Sequence, residues 1–121
     1  MDYDKNNIFA RILRKELPAN IVYENDYALA FHDAYPKAPI HILVIPKGEF
    51  ISFFDFSAKA SPHLIVEFTK AIHHVIQAYG LEKKGFRLLS NQGADGGQEV
   101  PHYHIHIFGG RPLGRMISSE S

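Results

Sequence analysis

Apolar positions set the frame of the chain. Ile8, Phe9, Ile12 and Leu13 fall on one face of a short helix that Asn6 or Asn7 can cap and Pro18 stops. Ile21 to Glu24 and Ala28 to His32 are expected as two short strands, joined by the turn residues Glu24-Asn25-Asp26. Pro36 and Pro39 forbid continued ladder or helix bonding, so Asp33-Ala34-Tyr35-Pro36-Lys37-Ala38-Pro39 reads as a loop. His41-Ile42-Leu43-Val44-Ile45-Pro46 is a β-branched run that fits a central strand ending at proline. Residues 50–58, rich in phenylalanine, are expected to form a short turn with its aromatics packed inward.

The second half opens with Ser61-Pro62, a hydroxyl cap followed by proline at the first helical position. Leu64, Phe68, Ala71, Ile72, Val75, Ile76 and Tyr79 then recur at helical spacing until Gly80, a stripe wide enough to cover a sheet. His63, His73 and His74 on this helix read as partly solvated. Gly85 to Ser90 is a further strand, and residues 91–98 form a glycine-rich loop. The run His102-Tyr103-His104-Ile105-His106-Ile107-Phe108-Gly109-Gly110 follows. Its histidines alternate with Tyr103, Ile105 and Ile107, the two-residue repeat of a strand. Three imidazoles therefore share one face and the apolar partners face the core. Arg111 to Ser121 carries little that could form core. The pattern predicts one α+β domain, an antiparallel sheet crossed by one long helix.

Composition narrows the chemistry. A chain of 121 residues fits a single domain, and 45% hydrophobic with 21% charged residues is ordinary for a globular protein. Thirteen basic and thirteen acidic side chains cancel, so no global field favours nucleic acid or an anionic membrane. An anionic ligand must be held by local donors. The absence of cysteine removes disulfides, thiolate zinc sites and thiol nucleophiles together. The polar start, Met1 to Asn7, is unlike a secretory signal, and no apolar run approaches the roughly 20 residues that span a bilayer. A soluble, cytoplasmic protein is expected.

Alternate residues on a strand lie roughly 6.6 to 7 Å apart, so neighbouring imidazoles can serve one small anionic group. The middle one, His104, is best placed, because a histidine on each side can orient it or donate to developing charge. Three imidazoles are also a known zinc arrangement, although ligands alternating on one regular strand diverge. His41, opening a neighbouring strand, can complete a cluster. Gly93, Gly96 and Gly97 allow close backbone approach to a phosphate, or simply serve a hairpin loop. Asp33 can accept two hydrogen bonds from a ribose diol, or act as an Asx-turn residue.

The run from His102 to Phe108 resembles the histidine triad (HIT) signature, in which three histidines alternate with apolar residues, and Gly109-Gly110-Arg111 is similar to the Hint branch of that family. The resemblance extends in order through Ile8-Phe9-Ala10-Arg11-Ile12, Ala30-Phe31-His32-Asp33, Pro36-Lys37-Ala38-Pro39-Ile40-His41, Val44-Ile45-Pro46-Lys47, Asn91-Gln92-Gly93 and Gly96-Gly97-Gln98-Glu99-Val100. It covers about residues 7–114 and leaves 115–121 as a flexible tail of a single domain. It implies the HIT fold, a five-stranded antiparallel sheet with one long helix and one short N-terminal helix.

The resemblance also implies a hydrolase of the bacterial purine nucleoside phosphoramidase type, which cleaves adenosine 5′-phosphoramidates, with aminoacyl adenylates as a further candidate substrate, through a nucleotidyl-histidine. Alternatives are a diadenosine polyphosphate hydrolase or a purine-nucleotide-binding module with little turnover. His104 would attack the α-phosphorus, His106 would bond a phosphoryl oxygen, His102 would orient His104, and His41 would complete the cluster. Asp33 would hold the ribose, and Phe9, Ile12, Phe31, His32, Ala34 and Val100 the base and sugar. Asn91, Gly97, Gln98 and Glu99 would contact the phosphate or the leaving group. No metal or cofactor is implied; a homodimer is, with no nucleic acid or membrane partner. Glu99 stands where many eukaryotic members place serine, Pro101 replaces a common tyrosine, and Lys47-Gly48-Glu49 lacks a further histidine. The complete triad disfavours the uridylyltransferase type, whose motif ends in glutamine.

Overall fold

The computed structural model describes residues 2–117. Asn7 caps the first helix, α1 (Ile8–Leu13), by accepting from the Ala10 N–H at 2.9 Å. Strands β1 (Ile21–Glu24), β2 (Ala28–His32) and β3 (Ile40–Pro46) follow as an antiparallel meander. Phenylalanine-rich residues that were expected to form a turn make a helix instead, α2 (Phe53–Lys59). Ser52 caps it, and Asp55 reaches back to the Ile51 N–H at 2.9 Å, so two side chains satisfy N–H groups at the helix start. Of its aromatics only Phe56 is buried; Phe53 and Phe54 point outward.

The long helix α3 (Pro62–Ala78) is capped by Ser61 and ends before Gly80, whose φ of +64° few other residues adopt. After the short α4 (Leu81–Lys84) come β4 (Arg87–Leu89), a single helical turn α5 (Gly93–Gly96) and β5 (Ile105–Gly109). The sheet order is β1-β2-β3-β5-β4, antiparallel throughout. This is the α+β architecture expected, with three short helices added.

Alternation gives the sheet two different faces. Ala28, Ala30, Ile42, Val44, Tyr103, Ile105 and Ile107 pack under α3 with Phe68, Ala71 and Val75. Leu29, Phe31, Leu43 and Ile45 face the other way and pack against Phe9 and Ile12 of α1. Because α1 is only six residues long, it covers part of that face and leaves a cleft beside it. His104, His106 and His41 stand on this incompletely covered side.

The strand carrying the histidines begins later than the alternation predicts, at Ile105. Pro101 has no N–H to give a ladder, and the His102 N–H turns back to the Val100 carbonyl at 2.9 Å. Tyr103 rejoins the extended path by donating to the Phe50 carbonyl at 2.8 Å. Of the expected tail, residues 118–121 lie outside the described residues. The carbonyls of Gly114 and Arg115 accept from the Arg87 guanidinium.

Candidate active site

The cleft beside α1 has a volume of about 1050 Å³. Its apolar wall is formed by Phe9, Ile12, Phe31, Leu43 and Val100, and its polar wall by His41, His104, His106, Asp33, Asn91 and Glu99. His32, Ala34 and Gly97 also line it. Thirteen residues predicted from sequence thus come together from five separate segments. Two do not reach the cleft. Gln98 turns inward, donating to the Ile51 carbonyl at 2.6 Å and the Val100 carbonyl at 3.0 Å while accepting from the Gly93 N–H. It holds the loop, while its neighbours Gly97 and Glu99 line the cleft. His102 lies behind the wall, wholly buried.

Backbone groups determine the proton positions on three imidazoles directly and on His106 through His41, because an amide only donates and a carbonyl only accepts. The Pro46 carbonyl lies 3.0 Å from His102 Nε2, which must carry the hydrogen; Nδ1 is then an acceptor, and the Tyr3 hydroxyl donates to it at 2.6 Å. His104 Nδ1 donates to the His102 carbonyl at 2.7 Å, leaving Nε2 with a free lone pair. The Lys37 N–H donates to His41 Nδ1 at 3.2 Å, so His41 Nε2 donates to His106 Nδ1 at 2.9 Å. His106 therefore carries its hydrogen on Nε2. One wall of the cleft offers a bare imine nitrogen on His104 and an N–H on His106, with the ring centroids 5.0 Å apart.

Burial keeps these rings neutral. It lowers His102 and His106 to about 4, His106 further through the nearby His104 and His41. His104 is also lowered, first by burial, against opposing effects of its hydrogen bond to the residue 102 carbonyl and of the Asp33 and Glu99 charges. His41 is lowered by burial, against the field of Asp33. A neutral His104 near pH 7 could act as a nucleophile, and the same two carboxylates would favour the cation that bond formation at Nε2 would create.

Asp33 takes the Asx-turn role and also faces His41. Its Oδ1 accepts from the Tyr35 N–H at 2.8 Å, an Asx turn, while Oδ2 lies 3.4 Å from His41 Nε2. Among the described residues, Asp33, His41 and His106 are the group whose donor atoms converge as metal ligands could, within 4.8 Å of one another. The three triad histidines do not, since His102 points away into the core. In the glycine loop, Gly93 and Gly97 have φ of +67° and +72° and their Cβ positions are open, so the turn, not crowding, calls for glycine. The N–H groups of Gly97 and Gln98 bond within the loop.

A HIT domain matches residues 14–113. The chain belongs to the HIT family. Its family relatives include an uncharacterised 13.2 kDa HIT-like protein of Azospirillum brasilense, 53% identical over 116 residues, with 96% of this chain and 95% of that one covered. A purine nucleoside phosphoramidase of Escherichia coli K12 is 41% identical over 116 residues, covering 96% and 97%. Among solved HIT structures, a histidine triad protein from Clostridium difficile superposes with a TM-score of 0.84 at 38% identity, covering 95% of this chain and 98% of that one.

Several cleft residues of this HIT protein escaped the sequence reading. Leu43 and Phe108 were recoverable, since they continue the alternation of His41 and of His104 and His106 onto the same faces. Leu89 pairs across the ladder with His106 and could not be located without the register. Tyr3, which does not line the cleft but bonds His102 behind its wall, had no signal at all; its hydroxyl reaches a ring 99 positions away.

Proposed function

We propose that this HIT protein hydrolyses the P–N bond of adenosine 5′-phosphoramidates through a covalent nucleotidyl intermediate on His104. The observation that carries this is the polarity of the imidazole network, with a bare Nε2 on His104 beside an N–H on His106. His104 Nε2 attacks the α-phosphorus and forms a P–N bond as the substrate's P–N bond breaks. The His106 N–H and the cleft's other donors stabilise the phosphoryl oxygens. Water then attacks the same phosphorus and releases His104. One water is consumed: its hydroxyl ends on phosphorus, giving a nucleoside monophosphate, and its proton on the departing nitrogen.

The apolar wall around Phe9, Ile12 and Phe31 suits a purine, and Asp33 suits the ribose hydroxyls. Metal is not needed for a displacement driven by alignment and charge stabilisation. The reading extends to a homodimer in which two sheets join, and the exposed Phe86 and Leu88 at edge strand β4 support such pairing. No helix among the described residues is long and apolar enough to cross a membrane, and a cytoplasmic location goes with this reading. The test is steady turnover of an adenosine 5′-phosphoramidate without added metal, lost in His104→Ala while AMP still binds. Normal turnover in that variant sinks the assignment. A panel adding diadenosine polyphosphates and acyl adenylates, ranked by kcat/KM, identifies the leaving-group class.

A further inference from the structure

We propose that Tyr3 is a positioning residue for His104, acting through His102, a role that rests on the nucleotidyl-histidine reading above. Tyr3 lies outside the stretch matched by the HIT domain, residues 14–113. It comes from the segment before α1, which folds back over the sheet because Asp4 and Asn7 build a tight turn. The Asp4 carbonyl accepts from the Asn7 N–H at 3.1 Å and from its side-chain amide at 2.7 Å. The same Asn7, itself buried, caps α1, whose Phe9 meets the His102 ring at 6.4 Å and the His104 ring at 4.9 Å, both edge-on. Cap, helix and phenol are therefore delivered together.

His102 has three contacts that fix it. The Tyr3 hydroxyl donates to Nδ1, Nε2 donates to the Pro46 carbonyl, and its own carbonyl receives His104 Nδ1–H. The first two clamp the ring from opposite sides, and the third transmits that position to the nucleophile. Among the described residues no buried side-chain nitrogen or oxygen lacks a partner. Removing the Tyr3 hydroxyl would orphan Nδ1 of a fully buried imidazole. The ring can answer by turning over, by taking a proton or by shifting towards solvent. Each answer disturbs the Pro46 bond and moves the carbonyl that keeps the hydrogen on His104 Nδ1 and the lone pair on Nε2. Burial raises the Tyr3 phenol, so the hydroxyl stays a donor throughout the working pH range.

The variant is Tyr3→Phe, which keeps the ring and its edge contact with His102, at 5.7 Å, and removes only the donor. Two readouts are taken on the full chain. The first is the 15N spectrum of histidine-labelled protein without substrate. In the wild type His102 is expected as the Nε2–H form with a hydrogen-bonded Nδ1; in Tyr3→Phe the Nδ1 signal moves downfield to an unbonded imine position, or a second His102 form appears. The second is kinetic, with kcat on an adenosine 5′-phosphoramidate expected to fall about tenfold while KM changes by less than about twofold. An unmoved spectrum overturns the proposal, as does unchanged kcat. A fall in kcat matched by a rise in KM with an unmoved spectrum marks simple loosening and overturns it too. Wild-type inactivity on phosphoramidates overturns the substrate reading instead, because the spectrum tests the grip of Tyr3 on His102 without any substrate.

Discussion

Mild acid should destabilise this protein through its buried histidines before its carboxylates contribute. His102 is 0% exposed, and burial holds it at about 4 against an ordinary value of 6.5. As pH falls, the unfolded chain takes up this proton near 6.5 and the folded chain only near 4. Unfolding therefore binds protons throughout that window, and stability that is full above 6.5 is progressively lost below it. At about 1.4 kcal/mol per pH unit, His102 alone accounts for about 3 kcal/mol across the window. His106, also held at about 4, adds in the same direction but faces the cleft and counts for less. His41 and His104 are lowered as well.

Glu16, Glu24 and Asp55 are lowered by their lysine or arginine partners, yet they matter only below their ordinary values of 4.5 and 3.8. The range from about pH 6.5 to about pH 4.5 thus isolates the imidazoles. The assay is urea unfolding followed by far-ultraviolet circular dichroism, since the chain has no tryptophan, at half-unit steps for the wild type and for His102→Gln. Glutamine can keep a donor towards Pro46 and does not titrate. Wild-type stability should fall by about 3 to 5 kcal/mol across the range, and the variant's by about 2 to 3 kcal/mol less. A wild-type profile flat to about 0.5 kcal/mol, or a variant as steep as the wild type, refutes the burial argument.

Other substitutions test separate parts of the structure. Asp33→Asn should raise KM for a ribonucleoside phosphoramidate by about tenfold but leave a 2′,3′-dideoxy analogue nearly unaffected; equal effects on both would remove Asp33 from the ribose. Leu29→Ala, at a side chain 0% exposed between α1 and the sheet, should cost about 3 kcal/mol in urea unfolding, and a cost below about 1 kcal/mol would contradict its packing. Gly110→Ala places a Cβ 2.9 Å from the rigid Pro39 ring at a φ of +91°. Thermal unfolding should show a loss of about 2 kcal/mol or more; near-wild-type stability would mean that the Pro39 loop yields freely.

Local physics was readable along the chain wherever a single element carried it. The caps at Asn7 and Ser61, the length of α3 and the two-residue alternation need only neighbouring residues, and the structure follows them. The alternation also separated His104 and His106 from Tyr103, Ile105 and Ile107, which is why the cleft's imidazoles could be named in advance. The helix at Phe53–Lys59 was missed because its signal is the Ser52 cap together with the Asp55 carboxylate that bonds the Ile51 N–H, not the phenylalanines between them.

What only the tertiary structure decided is where each polar atom finds its partner. His41 meets His106 diagonally across β3 and β5, His102 turns to Pro46 and Tyr3, and Gln98 turns to Ile51. These partners lie far apart in sequence, and a buried nitrogen accepts whichever group long-range pairing brings near it, because leaving it bare costs more than any local preference supplies. Three histidines alternating with apolar residues were visible from the sequence alone; that His102 leaves the shared face was not. Their division into a buried ring bonded on both sides, a ring with a bare imine nitrogen and a ring that offers an N–H depends on the backbone carbonyls and amides that folding sets beside them.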